Sequence, residues 1–182
     1  MEALTRSLRE APVVRRGEYE YFVHGVTDGI PPLEPAILEE VAEAIRSTVD
    51  LDGVEKIVAP EAMGVHHGAA LSLATGLPLV VVRKREYGFD DEVAVHQETS
   101  YGESEFYLNG VEPGDRVLLV DDVLSSGGTI RSVCAGLEQA GATIADVVVV
   151  LRRVDVDPGE LPVPVTSLLD VRVEDGRVEI VD

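Results

Sequence analysis

Cysteine occurs once in the 182 residues, as Cys134, so an internal disulfide framework is excluded and a reducing, cytoplasmic setting is expected. Histidine is sparse too. His24, His66, His67 and His96 are scattered, and with one cysteine they do not supply the clustered ligands of a structural zinc site. No apolar run approaches the roughly 20 residues that a membrane helix needs. The first residues lack a basic stretch followed by an apolar one, so no secretory signal and no membrane partner is expected. Internal repeats and low-complexity tracts are absent. Lysine is nearly missing: Lys56 and Lys84 stand beside 13 arginines, and these 15 cations face 34 acidic residues for a formal net charge of −19. A surface of that sign repels nucleic-acid phosphates, so no nucleic-acid partner is expected. Acidity combined with lysine scarcity points to adaptation to concentrated salt, where screening is nearly complete; the bland alternative is an ordinary acidic protein.

What is present suits one domain spanning 1–182, with 45% apolar residues to build a core. A short polar helix is expected over 2–10 and an aromatic-rich strand over 17–26. Pro35 opens a helix whose apolar face is Ile37, Leu38, Val41 and Ile45. A strand at 54–59 leads to a helix from about 64 to 75, stopped by Gly76. Uninterrupted apolar runs at 78–82, 117–120 and 144–151 read as strands buried on both faces. Residues 129–140 form another amphipathic helix, with Cys134 on its apolar face. The tail carries a hairpin signal, Asp175-Gly176, between short strands at 166–173 and 177–181. Apolar strands alternating with amphipathic helices define an α/β domain with a mainly parallel twisted sheet flanked by helices. Ligands of such sheets sit outside the carboxyl ends of the strands.

The strand at 117–120 is followed by Asp121-Asp122-Val123-Leu124-Ser125-Ser126-Gly127-Gly128-Thr129 and then a helix. Small residues at 125–129 let backbone N–H groups turn inward around an anion, and the helix adds its positive end. The hydroxyls of Ser125, Ser126 and Thr129 can donate further. Two adjacent carboxylates are poor phosphate ligands but good acceptors for sugar hydroxyls, and they can hold Mg²⁺ directly or through water. A carboxylate pair followed by a phosphate cradle suits a ribose 5-phosphate. No Lys-Ser/Thr follows the glycines, so the loop is not a Walker A motif.

This stretch resembles the signature of type I phosphoribosyltransferases, which bind phosphoribosyl pyrophosphate (PRPP). Ser126 stands where that family usually carries threonine, which keeps the hydroxyl. The resemblance covers about 15–150 and is closest to the archaeal hypoxanthine/guanine group. It implies transfer of the phosphoribosyl group from PRPP to a purine base with Mg²⁺, and a homodimer. It also places a pyrophosphate-binding loop at Glu61, Ala62, Met63 and Gly64, where Met63 replaces the arginine of adenine enzymes. After strand 78–82, Arg83-Lys84-Arg85 puts three cations together in an acidic chain, and a polyanionic substrate gives a reason for them; the resemblance gives Arg83 and Lys84 to pyrophosphate. Asp121, Asp122, Arg83 and Lys84 are the implied catalytic set, and Ser125 to Thr129 the 5-phosphate cradle. Residues 86–107, polar and with little core character, correspond to a flexible flap, with Tyr101 and Glu103 to Glu105 as candidates for substrate contact. Residues 1–25 and 152–182 correspond to a small hood that selects the base. Hypoxanthine/guanine enzymes outside this group place an aspartate at the position of Ser125, and a serine is a poor general base near neutral pH. A PRPP-binding regulator without catalysis, or a transferase for another base such as xanthine or a pyrimidine, is the alternative. The adjacent His66-His67 do not share a helix face, so a chelating pair is not expected. His24 and His96 read as surface residues, with a place in the base pocket as the alternative for His24.

Overall fold

A computed structural model describes residues 1–17, 19–99 and 102–181. Its centre is a six-stranded sheet of β3 (Lys56–Pro60), β4 (Leu79–Val82), β7 (Arg116–Leu124), β8 (Thr143–Arg153), β9 (Thr166–Glu174) and β10 (Arg177–Val181), in the order β10-β9-β8-β7-β3-β4. Five strands run parallel, and β10 closes one edge antiparallel to β9. Residues 166–181, expected as a hairpin within the variable hood, therefore extend the main sheet. The Asp175-Gly176 turn forms as expected, with both residues at positive φ.

The central strands β3, β7 and β8 carry buried runs, and period-two alternation sorts their side chains into two cores. Leu118, Val120, Val148 and Val150 enter one, with Ile37, Val41 and Ile45 of α3 (Pro35–Thr48), Leu71 of α4 (Gly64–Thr75), and Leu4 and Leu8 of α1 (Glu2–Arg9). Val117, Leu119, Val147 and Val149 enter the other, with Ile130, Val133, Cys134 and Leu137 of α5 (Gly128–Gln139). Pro35 sits in the first turn of α3, where its missing N–H costs nothing, and Gly76 ends α4 in the left-handed conformation.

Two expectations need correction. The single strand over 17–26 is a hairpin, β1 (Val13–Arg16) paired with β2 (Tyr19–Phe22), followed by a short helical turn, α2 (Gly25–Asp28). Gly17, at positive φ, makes the turn that the aromatic run concealed. The runs at 93–95 and 105–108, expected as the strands of a hairpin in the flap, do form one, β5 (Val93–Thr99) with β6 (Gly102–Leu108), but it has more core character than its polar sequence suggests. Val95, Phe106 and Leu108 are buried. Paired backbone bonds between Arg83 and Tyr107 fasten the hairpin to the end of β4. Tyr101 lies outside the described residues, as do the side chains of Glu103, Ser104 and His96; Glu105 accepts the Tyr107 hydroxyl.

Candidate active site

Strands β7, β3 and β4 are neighbours, so their carboxyl ends lie side by side. Each delivers one part of the sequence-derived site. β7 carries Asp121 and Asp122 and leads into the 125–129 loop; β3 leads into 61–64; β4 leads into Arg83 and Lys84. The aspartates were expected just past a strand ending at Val120. In fact β7 runs on to Leu124, paired with β8 as far as Arg152, so both carboxylates are carried on rigid backbone.

Asp121 is buried and Asp122 half-buried, and Asp121 Oδ1 accepts the Asp122 backbone N–H at 2.9 Å. Burial pushes both carboxyls up from the ordinary carboxylate range. For Asp121 that rise is opposed by hydrogen bonds from Asp122 and by the charge of Lys84; for Asp122 the neighbouring Asp121 charge adds to it. The two loops meet at Gly64. A Cβ there would stand 2.9 Å from Asp121 Oδ1 and 3.1 Å from the Val120 carbonyl, so only glycine lets α4 begin this close to the carboxylate.

The 61–64 loop begins with a cis peptide between Glu61 and Ala62. Glu61 does something the sequence did not disclose. Its Oε2 lies 2.6 Å from Arg83 Nε, and its Oε1 accepts the Lys84 backbone N–H at 2.6 Å. One carboxylate thus joins the loop after β3 to the cations after β4. The Arg83 contact is an ion pair without the alignment of a hydrogen bond. The Lys84 ammonium stands 5.6 Å from the centre of the Phe106 ring, over its face. Arg85 lies over Tyr87 instead, at 5.5 Å. Met63 approaches the turn after α2: a Cβ on Gly29 would lie 3.7 Å from Met63 Cε.

In the cradle, Ser125, Gly128 and Thr129 are half-buried, Ser126 is exposed and Gly127 is buried. Helix α5 starts at Gly128, one residue before the expected position, with Gly127 as its cap at φ 73°. Arg131 was missed in the sequence. Its Nη2 donates to the Ser126 carbonyl and its Nη1 to the Pro158 carbonyl, each at 2.7 Å. The signal was there: an arginine in the first turn after a phosphate-type loop, in a chain short of cations.

His24, read as a surface residue, and His67 are both buried. His24 Nδ1 accepts the Val26 N–H at 3.1 Å, which leaves Nε2–H to meet Ser7 Oγ at 2.9 Å. His67 Nε2 lies 3.2 Å from the Val26 carbonyl, and burial pushes its pKa down to about 3. These two histidines fix the α2 turn. Among the described residues no group of three or more His, Cys, Asp or Glu side chains is gathered for a metal.

A carboxylate pair, a small-residue cradle at a helix start and a clasped cation pair thus lie together at the carboxyl edge of the parallel sheet of an α/β protein. The family model for the phosphoribosyl transferase domain matches residues 33–165, and the chain belongs to that family. It is 70% identical over 182 residues to HGPRTase-like protein 3 of Haloterrigena turkmenica, covering all of this chain and 98% of that one. It is 50% identical over 181 residues to HGPRTase-like protein 2 of Haloferax volcanii, covering 99% of each. Among solved structures, the adenine phosphoribosyltransferase of Rhodothermus marinus superposes with a TM-score of 0.76 at 24% identity, over 93% of this chain and 99% of that one. The Saccharomyces cerevisiae adenine enzyme, crystallised with an imino-altritol bisphosphate and adenine, gives 0.75 at 22% identity, over 93% and 100%. The fold is that of the type I phosphoribosyltransferases.

Proposed function

We propose that this phosphoribosyltransferase transfers the 5-phosphoribosyl group of PRPP to hypoxanthine or guanine, giving a nucleoside monophosphate and pyrophosphate. The observation that carries the reading is the meeting of Asp121 and Asp122 with the 125–129 cradle and the Glu61–Arg83–Lys84 clasp at one sheet edge. The hypoxanthine/guanine assignment is supported by identity along the whole chain to HGPRTase-like relatives, against 24% or less for the adenine enzymes compared above.

In this reading the cradle of Ser125, Ser126, Gly127, Gly128 and Thr129 anchors the 5-phosphate, and that remote grip orients the anomeric carbon. Asp121 and Asp122 accept the ribose hydroxyls. Burial and the closeness of the two carboxylates raise their proton affinity, an arrangement that fits a divalent cation. They would hold Mg²⁺ directly or through water, with substrate oxygens completing its shell. When bound, Mg²⁺ neutralises pyrophosphate as it leaves. Glu61 holds Arg83 by Nε, so both terminal nitrogens of the guanidinium stay available to the leaving group; Lys84 and the backbone of Ala62, Met63 and Gly64 complete its site. The β5–β6 hairpin, within the 86–107 flap, excludes water from a cation-like ribosyl centre. The N-terminal hairpin and the 152–165 connection form the hood. The protein works in the cytosol as a homodimer, as twofold assemblies commonly do.

The test is pyrophosphate release from PRPP and Mg²⁺ in molar KCl, with hypoxanthine, guanine, adenine, xanthine and uracil supplied in turn. Turnover is expected with hypoxanthine or guanine, and Asp122→Asn should lower it by about a hundredfold or more. Turnover with adenine alone would overturn the base assignment. PRPP binding without turnover on any base would leave a ligand site and remove the catalysis.

A further inference from the structure

We propose that Arg131 is a positioning residue that holds the 125–129 loop in its phosphate-accepting shape and ties that shape to the 157–160 segment. The inference rests on the 5-phosphate role given to the loop above. A loop that presents N–H groups to an anion must turn its carbonyls away, because each carbonyl oxygen repels the phosphate. The Ser126 carbonyl is one of these, and the Arg131 guanidinium takes it through Nη2 at 2.7 Å. The other terminal nitrogen donates to Pro158 O at 2.7 Å and lies 3.4 Å from Glu160 O. The planar fork of arginine reaches both segments at once; a lysine ammonium at the end of a flexible stem would not hold two such directions.

The surroundings leave this brace little slack. Arg131 sits in the first turn of α5, its own N–H bonded to the Gly127 carbonyl at 3.0 Å. A Cβ on Gly127 would stand 2.8 Å from Arg131 Nη1, 2.8 Å from Leu161 Cδ2 and 3.0 Å from the Pro158 carbonyl. The 157–160 turn is itself pinned, with Gly159 N–H donating to Asp157 Oδ1 at 2.8 Å, and Leu161, Val163 and Val165 fasten the following chain to the core beneath α5. Movement of either segment is therefore passed to the other through one guanidinium. The side chain is exposed, yet these contacts are to carbonyls of the cradle and of the 157–160 turn.

Binding of ribose 5-phosphate and of inorganic pyrophosphate to the full chain, by calorimetry in molar KCl, tests this. The two ligands sample the cradle and the clasp separately, and the salt suppresses any long-range pull of the Arg131 charge. Arg131→Met is expected to weaken ribose 5-phosphate about tenfold or more while pyrophosphate binds as before. Arg131→Lys should lose less, keeping one of the two carbonyls. Unchanged ribose 5-phosphate affinity in either folded variant overturns the proposal, and so does an equal loss of both ligands, which marks general loosening. If Arg131→Met does not fold, Arg131→Lys decides by the same split. A wild-type protein that binds neither ligand overturns the functional reading itself, a result visible before any variant is made.

Discussion

Two buried imidazoles, His24 and His67, share Val26 as a hydrogen-bond partner. In the fold, α2 lies against α4, and Val26 accepts a hydrogen bond from His67 and donates one to His24. The covering is tertiary and has no local signature. It has a pH consequence. His67 titrates near 6.5 in an unfolded chain and about 3 in the fold, because burial disfavours its charged form. Below about 6.5 the unfolded state takes up a proton that the native state refuses, so this stabilisation is complete above 6.5 and is lost as pH falls toward 3, with a limiting slope of about 1.4 kcal/mol per unit. His67→Gln, whose amide can still donate to Val26, should show a shallower fall of Tm between pH 6.5 and 4.5. In both proteins the raised Asp121–Asp122 pair acts with opposite sign, and the buried His24 and half-buried His66 with the same sign, so the difference between them reads His67 and its coupling to those neighbours. An unchanged slope would show that the imidazole is not what titrates. By contrast Asp121, Asp122 and the 125–129 loop could be read directly, since contiguous residues supply a carboxylate pair and an anion cradle. The contacts of Glu61 and Arg131 could not, although Glu61 was placed in its loop and Arg131 stood in a telling position: their partners lie 22, 23, 27 and 29 residues away or are backbone atoms, which no spacing rule exposes.

At the scale of elements, periodicity located α3, α4, α5 and the buried strands closely, apart from the far end of β7, because each buries a face or both faces and its pattern is strong. The failures were a tight hairpin hidden in an aromatic run and the core character of the expected second hairpin, whose polar residues mask three buried ones. The β5–β6 hairpin depends on a close approach. A Cβ on Gly136 of α5 would lie 2.5 Å from Val95 Cγ2, inside any permitted contact. Helix propensity alone makes Gly136→Ala stabilising by about 1 kcal/mol. The clash opposes it with about 1–3 kcal/mol, because Val95 is β-branched and cannot swing aside. Gly136→Ala should therefore lower Tm and speed proteolysis within 86–109. Adding Val95→Ala should restore both by opening the space. A rise in Tm for the single variant would show that the hairpin yields freely.

For the molecule as a whole, the formal charge of −19 sets how stability responds to salt. The Debye length falls from about 30 Å at 0.01 M salt to about 3 Å at 1 M, so the mutual repulsion of 34 carboxylates is strong in one and nearly gone in the other. Tm is expected to rise by several degrees from dilute to molar KCl, since about 1 kcal/mol moves a domain of this size by about 2–4 °C. Indifference to KCl would mark an ordinary acidic protein. Of the two lysines, Lys56 is a strut, paired with Asp115 at 2.5 Å and bonded to the Gly110 carbonyl; Lys84 alone stands at the site. Its neighbour Arg83 is already occupied by Glu61, and this has a bearing on brine. Molar chloride floods any bare cationic pocket. A guanidinium that carries its own resident counter-ion gives a monovalent visitor little to gain. In the proposed reaction pyrophosphate, multiply charged and able to bridge the arginine, the lysine and the loop together, would gain much more. On that proposal Glu61 would screen the site against chloride while leaving it open to a polyvalent anion.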